Sequence, residues 1–428
     1  MANILSFFGI TCILIFNSLL DISTLYSVQH IFYIKQLRWA ILPRNIFSGL
    51  ERRPMKQSTF NINTSEVIIV VINSILGAGI LTLPRTISKA VGTPDVWISV
   101  ILSGLIVTTI SILLVTLCRR FPGKTVFEFI PEITGRWISY LLGLLIIVYF
   151  VVLCSFEVRV MAEITSMYIL ERTPTWVTIM VSLWIGIYML TGGLKVIIRV
   201  FSIVLPVTLV LLALVFLLST KMFEINNLRP LLGDGFMPVL KGLKPSCLSY
   251  SGYEVLLIIT AYMTDVKASN KAAIYSILSC TIIYLVTIVT VVGNLSLPGI
   301  QTRMWPTFDM VRSFEIEGFL FERYESLFIV FWLMQIFATY AFKHYFAAIG
   351  VRDLFRLKNI TSIQFAMLPV LYVIAYLPKN LEETLALGDF LGNMSIFLFG
   401  LLPLLLLIIS FIRKKGGKRA SSEALKAS

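Results

Sequence analysis

The sequence predicts an all-α polytopic membrane protein. Ten transmembrane helices form two five-helix inverted repeats, with helices 1 and 6 broken. Three observations predict this. The 428 residues are 57% hydrophobic and only 14% charged, and a soluble protein of that size cannot cover so much apolar surface with so few charges. Windows of about 20 residues with little or no charge recur along the chain, which is the length a helix needs to cross a bilayer. The run VWISVILSGLIVTTISILLVTLC, Val96 to Cys118, carries no charge at all, and a membrane β-barrel would show short alternating segments instead. Finally, two apolar segments five spans apart, NSILGAGILTLP and PSCLSYSGYEV, are interrupted by weak helix formers. Paired interruptions of that kind mark inverted repeats with a binding site between them.

The ten spans run over residues 66–90, 96–118, 137–165, 174–191, 200–220, 241–263, 272–296, 324–348, 360–378 and 390–412. Thr64 or Ser65 is the expected N-cap of the first. The connections 119–136, 192–199, 264–271 and 349–359 and the tail RKKGGKR gather the basic residues. The positive-inside rule therefore places both ends of the ten-helix domain in the cytoplasm. Of the opposite connections, 221–240 reads as an irregular loop with Gly and Pro turn signals. Residues 306–323 mix apolar and acidic residues at helical spacing, which suggests a short helix lying on the outer surface.

Residues 1–54 read differently. Residues 3–20 are apolar enough to span once or to act as an uncleaved signal anchor, and residues 31–53 show no clear period. Met55 opens MKQSTFNINTSEVII as a native start would. We expect residues 1–54 to be an N-terminal extension, an upstream start-site artefact. The ten-helix membrane domain then covers 55–412, and 413–428 is a basic cytoplasmic tail.

The net charge of +13 raises the question of nucleic acid. The basic residues sit in short connections between apolar spans, so orientation in the bilayer is the better reading and no nucleic-acid partner is expected. Cys12, Cys118, Cys154, Cys247 and Cys280 lie in or beside apolar segments without metal-type spacing and read as small packing residues. His30 and His344, the only histidines, are too far apart to suggest a metal cluster. No nucleophile, base and acid fall together. No enzyme activity, catalytic residue, metal or cofactor is expected.

In lipid, an unwound stretch survives only where protein, water or a ligand satisfies its backbone groups. Gly77 and Gly79 would let the backbone approach a ligand closely, and the half-helix ends beside a break favour a carboxylate at one side and an amine or cation at the other. A small-residue packing seam is the other reading of GAG. In the second interruption Ser249, Ser251 and Gly252 cluster, and Glu254 is an acid at membrane depth. Glu254 reads either as a proton or cation site or as a structural hydrogen-bond anchor. Glu157 and Glu163 are placed to pair with Arg159 on neighbouring faces as structural glue, or to act as vestibule charges. Lys343, near the inner end of its span, is expected to snorkel. Tyr149, Trp332 and Tyr253 are placed to close over a ligand or to pack.

These residues also resemble a family. GAGILTLPR, PDVWISVILSG, RRFPGKTVFEFIPEITGRWISYLLGLL and LKPSCLSYSGYEVLLIIT resemble the B subunits of bacterial spore germinant receptors. Those GerAB-type endospore germination proteins are a branch of the amino acid–polyamine–organocation (APC) transporter superfamily. The resemblance runs from about Ser65 to about Arg356, and more weakly to residue 412. It implies an APC/LeuT-like fold of ten helices and a small polar germinant, commonly an amino acid. It also implies A and C receptor subunits as partners, in the inner membrane of a dormant spore. The superfamily's ligand contacts would fall on Leu76, Gly77, Ala78 and Gly79 and on Tyr250, Ser251 and Gly252, beside which Tyr253 and Glu254 complete the candidate site. The rival class is a secondary active amino acid transporter coupled to H⁺ or Na⁺, which the fold does not separate from a receptor.

Overall fold

Each of the ten apolar segments forms helix in a computed structural model of the chain. The chain divides into two units, Met1–Ser58 and Thr59–Ser428, and residues 61–312 and 324–416 are described. The expected extension at 1–54, the second half of segment 306–323 and the tail beyond 416 lie outside the described residues.

The first apolar segment is two helices, α1 (Thr64–Leu76) and α2 (Gly79–Val91), bent by 50° at the break between them. The N-cap of α1 is Asn63, not Thr64 or Ser65. A capping box decides the register: Glu66 lies three residues after Asn63, and its Oε2 accepts the Asn63 N–H at 2.8 Å. The chain then forms α3 (Val96–Arg119), the short α4 (Val126–Thr134), α5 (Arg136–Tyr168), α6 (Thr175–Thr191) and α7 (Leu194–Ser219).

Segment 221–240 is irregular, as expected, with two short 3₁₀ turns before the next helix. The second interrupted segment follows as α8 (Met237–Ser249) and α9 (Tyr253–Tyr262), joined through Tyr250–Gly252. α9 mixes 3₁₀ and α turns, and its end is tied to the start of α1: the Ile62 N–H donates to Tyr262 O and the Thr264 N–H to Ile62 O, both at 3.1 Å. α10 (Ser269–Thr302) kinks at Ser296, just before Pro298. α11 (Pro306–Arg312) is helical, as expected, but does not lie on a surface. Trp305, Phe308 and Val311 are each about 1% exposed, because the segment's apolar residues face inward onto α2 and α10. The last elements are α12 (Tyr324–Phe355), α13 (Ile360–Tyr376), α14 (Leu381–Ser395) and α15 (Leu402–Ile412), the last two continuous through a π-helical turn.

By length and apolar character, five of these helical runs can cross a membrane, and up to seven if each sharply bent pair is one span. The described chain is an all-helical, multi-pass membrane protein. α12 packs on α5, α10 on α1 and α3, and α8 on α2 and α3, which carries the two breaks into the interior. Small residues permit the close approaches. A Cβ on Gly186 would lie 2.4 Å from the Tyr340 ring, and one on Gly242 would lie 2.4 Å from Val91.

Candidate functional site

The two interruptions face each other. A Cβ built on Gly252 would stand 2.3 Å from Ser74 O, and one on Gly79 would stand 2.5 Å from Ser249 O. The end of α1 therefore abuts the turn after α8, and the start of α2 abuts the end of α8. Neither contact has room for a side chain.

A break inside lipid frees carbonyls that must find donors. Here side chains from neighbouring helices supply them. The Tyr284 hydroxyl on α10 lies 3.0 Å from Ile75 O and 2.8 Å from Ser249 O, bridging both breaks. Trp332 Nε1 donates to Gly77 O at 3.2 Å. Gln335 Nε2 donates to Asn73 O at 3.0 Å, and the Thr339 hydroxyl lies 3.2 Å from the same oxygen and 2.9 Å from Gln335 O. The broken geometry is thus built into the folded chain. Tyr284→Phe is expected to remove the one hydroxyl proton that these two carbonyls share and to destabilise the protein by about 1–3 kcal/mol. Thermal unfolding in detergent checks this, and an unchanged melting temperature would refute it.

Glu254 is fully buried. Its Oε1 accepts the Tyr149 hydroxyl at 2.7 Å, and its Oε2 accepts the Gly252 N–H at 2.6 Å. Both oxygens are engaged, so of its two readings the geometry fits the anchor: it fixes the turn after α8 to α5.

A cavity of about 80 Å³ opens at the seam. By the measure in which one water takes about 10–15 Å³, it holds roughly six water-sized groups. Of the nine residues expected at the site, Ala78, Gly79 and Ser251 line it. Leu76, Gly77, Tyr250, Gly252, Tyr253 and Glu254 form the breaks themselves and do not reach the cavity. Tyr250, for example, turns its hydroxyl to Thr281 Oγ1 at 3.0 Å. Tyr149 and Trp332 are hydrogen-bonded elsewhere and do not close over the cavity.

The principal surprise is charge. Lys343 does not snorkel. It is 1% exposed and its Nζ lies 2.7 Å from Glu157 Oε1, with Glu157 4% exposed at the side chain. Both residues line the cavity. Glu157 was expected to pair with Arg159, but Arg159 takes Glu163 alone, at 2.6 Å, one turn along α5. Span lengths explain the error about Lys343. α12 continues to Phe355, twelve residues beyond Lys343, or about 18 Å of helix. That depth keeps the ammonium away from an aqueous end. The available signal was an opposite-sign pair of charges at membrane depth on two different spans.

Two interrupted helices that meet beside a partly open cavity lined by a buried ion pair define a polytopic membrane protein with charge in its interior. The chain belongs to the spore germination protein family, whose sequence model matches residues 61–384. It is 43% identical to spore germination protein YndE of Bacillus subtilis (strain 168), over 85% of this chain and all of the relative. It is 38% identical to spore germination protein A2 of the same organism, over 84% of this chain and 98% of the relative. With spore germination protein B2, also of that organism, identity is 28% over 85% of this chain and 99% of the relative.

Proposed function

We propose that this chain is the B-type subunit of a nutrient germinant receptor, and that it binds a small amino acid in the cavity between its two broken helices. The observation that carries the reading is the cavity at the meeting point of the breaks, in a member of a spore germination family. In this reading the chain has ten transmembrane helices in two five-helix inverted repeats. It sits in the spore inner membrane beside A and C subunits, with both ends of the domain cytoplasmic.

The ligand's carboxylate faces the N-terminus of α2 at Gly79, where unpaired N–H groups and the helix dipole favour an anion. Its amine faces the C-terminal end of α8 at Ser249, where the dipole is negative. The ligand prefers a state in which the two halves close on it, and the partner subunits read the shift in population. Taking that equilibrium from 1:99 to 99:1 requires the closed state to be favoured by about 5.5 kcal/mol. A buried zwitterion with both ends matched is able to supply that.

Spores lacking this gene, and then regaining it, are screened for germination with individual amino acids. Spores regaining it as Gly79→Ala are expected to lose the response by about tenfold or more. A Cβ there meets the Ser249 carbonyl at 2.5 Å, and a backbone oxygen yields only if α2 and α8 part. Protein level in the spore membrane is measured alongside, so that loss of the protein is separated from loss of the response. A normal response in that variant would sink the site. Uptake of labelled amino acid by proteoliposomes of the purified chain would replace signalling by H⁺- or Na⁺-coupled transport.

A further inference from the structure

The Glu157–Lys343 pair is only half satisfied. Glu157 Oε1 takes the Lys343 ammonium. Its Oε2 is buried and has no hydrogen-bond partner among the described residues. A buried carboxylate oxygen without a donor is destabilising, and a native structure that keeps one has a use for it. Glu157 lines the cavity, and Gly77 lies against the carboxylate. A Cβ at Gly77 would sit 3.1 and 3.2 Å from the two oxygens, so the bare glycine leaves the carboxylate its place beside the break.

We propose that Glu157 Oε2 accepts the ligand's ammonium group, so that the site takes small zwitterions and refuses their des-amino counterparts. This rests on the cavity being the ligand site. Lys343 already neutralises Glu157, and the Asp389 carboxyl also lines the cavity, so a simple carboxylate would add a further negative charge and leave Oε2 unpaired. An amino acid adds no net charge. It lies antiparallel to the ion pair, its ammonium between Glu157 Oε2 and the Ser249 end of α8 and its carboxylate toward Lys343 and the α2 N-terminus. The Ser249 and Ser251 side of the cavity encloses it. Glu157 then sets specificity for the amino group.

The test is thermal stabilisation of the purified full-length chain in detergent. L-alanine, L-valine and L-asparagine are each compared with the matching des-amino acid: propionate, isovalerate or succinamate. At least one amino acid is expected to raise the melting temperature. Its des-amino partner is expected to need a concentration about tenfold or more higher, the effect of one charged hydrogen bond. Glu157→Gln is expected to weaken binding of the amino acid by a similar factor. The wild-type comparison stands even if that variant fails to fold. Equal stabilisation by the des-amino acid, or wild-type affinity in folded Glu157→Gln, would overturn the assignment. If Gly79→Ala abolishes binding in that case, the cavity remains the site and only the role of Glu157 falls. If Gly79→Ala binds normally, the site itself is wrong. No shift with any of the three amino acids overturns both.

Discussion

Gly252→Ala is expected to yield little folded protein, a larger loss than any other single glycine substitution among the described residues. Two effects act together. The residue has φ +133° and ψ −22°, a conformation open to glycine and strained for L side chains by about 1–3 kcal/mol. The added Cβ would also stand 2.3 Å from Ser74 O, 2.5 Å from its carbonyl carbon and 2.7 Å from Ile75 N. These are backbone atoms of α1, so no rotamer change relieves the overlap. Relief requires moving the end of α1, which Tyr284, Gln335 and Thr339 hold in place. The sum lies beyond about 4 kcal/mol, in the range reserved for overpacking combined with backbone strain. Gly92→Ala is the internal control. Gly92 also has positive φ, +72°, but nothing lies within 4 Å of its Cβ position, so the change should cost only about 1 kcal/mol. Yield and melting temperature in detergent separate the two, and a Gly252→Ala protein as stable as Gly92→Ala would refute the packing account.

Apolar run length located the helical segments, of which five, or up to seven, are long and apolar enough to cross a membrane, because the bilayer imposes one dominant requirement on every span. The breaks at Gly77–Ala78 and Tyr250–Gly252 were legible for a related reason. Glycine and serine clusters stand out against residues chosen for continuous helix. The contact between the breaks followed from their spacing. The role of the side chains did not. Of the nine expected residues, the structure places Ala78, Gly79 and Ser251 beside the cavity, and the sequence does not single them out because facing depends on how α8 turns after Ser249. Glu157 and Lys343 are 186 residues apart in sequence. Their pairing depends on which faces α5 and α12 present to each other, and a periodic apolar pattern does not record that when a helix is buried nearly all round. Glu254 drew attention as an isolated acid, and its two hydrogen bonds belong to the architecture of the turn.

Lys343→Met is expected to destabilise the protein by about 3–5 kcal/mol, the cost of leaving one partner of a buried ion pair uncompensated. With Nζ gone, the Glu157 carboxyl is left at 3% exposure, and neither oxygen retains a partner among the described residues. The double variant Lys343→Met with Glu157→Gln removes both charges at nearly constant volume. It is expected to recover most of the loss, because replacing a buried pair whole is often close to neutral. Melting temperatures of the wild type, both single variants and the double variant form a cycle whose coupling should exceed about 1 kcal/mol. Strictly additive losses would show that the two charges do not interact. The double variant also separates stability from function. It should be folded and inserted yet deaf to amino acids, since it presents neither the anion for an ammonium nor the cation for a carboxylate. A stable double variant that still answers its germinant would mean that the pair serves the fold alone. A stable and silent one would mean that this chain keeps two charges inside a membrane for the ligand they hold.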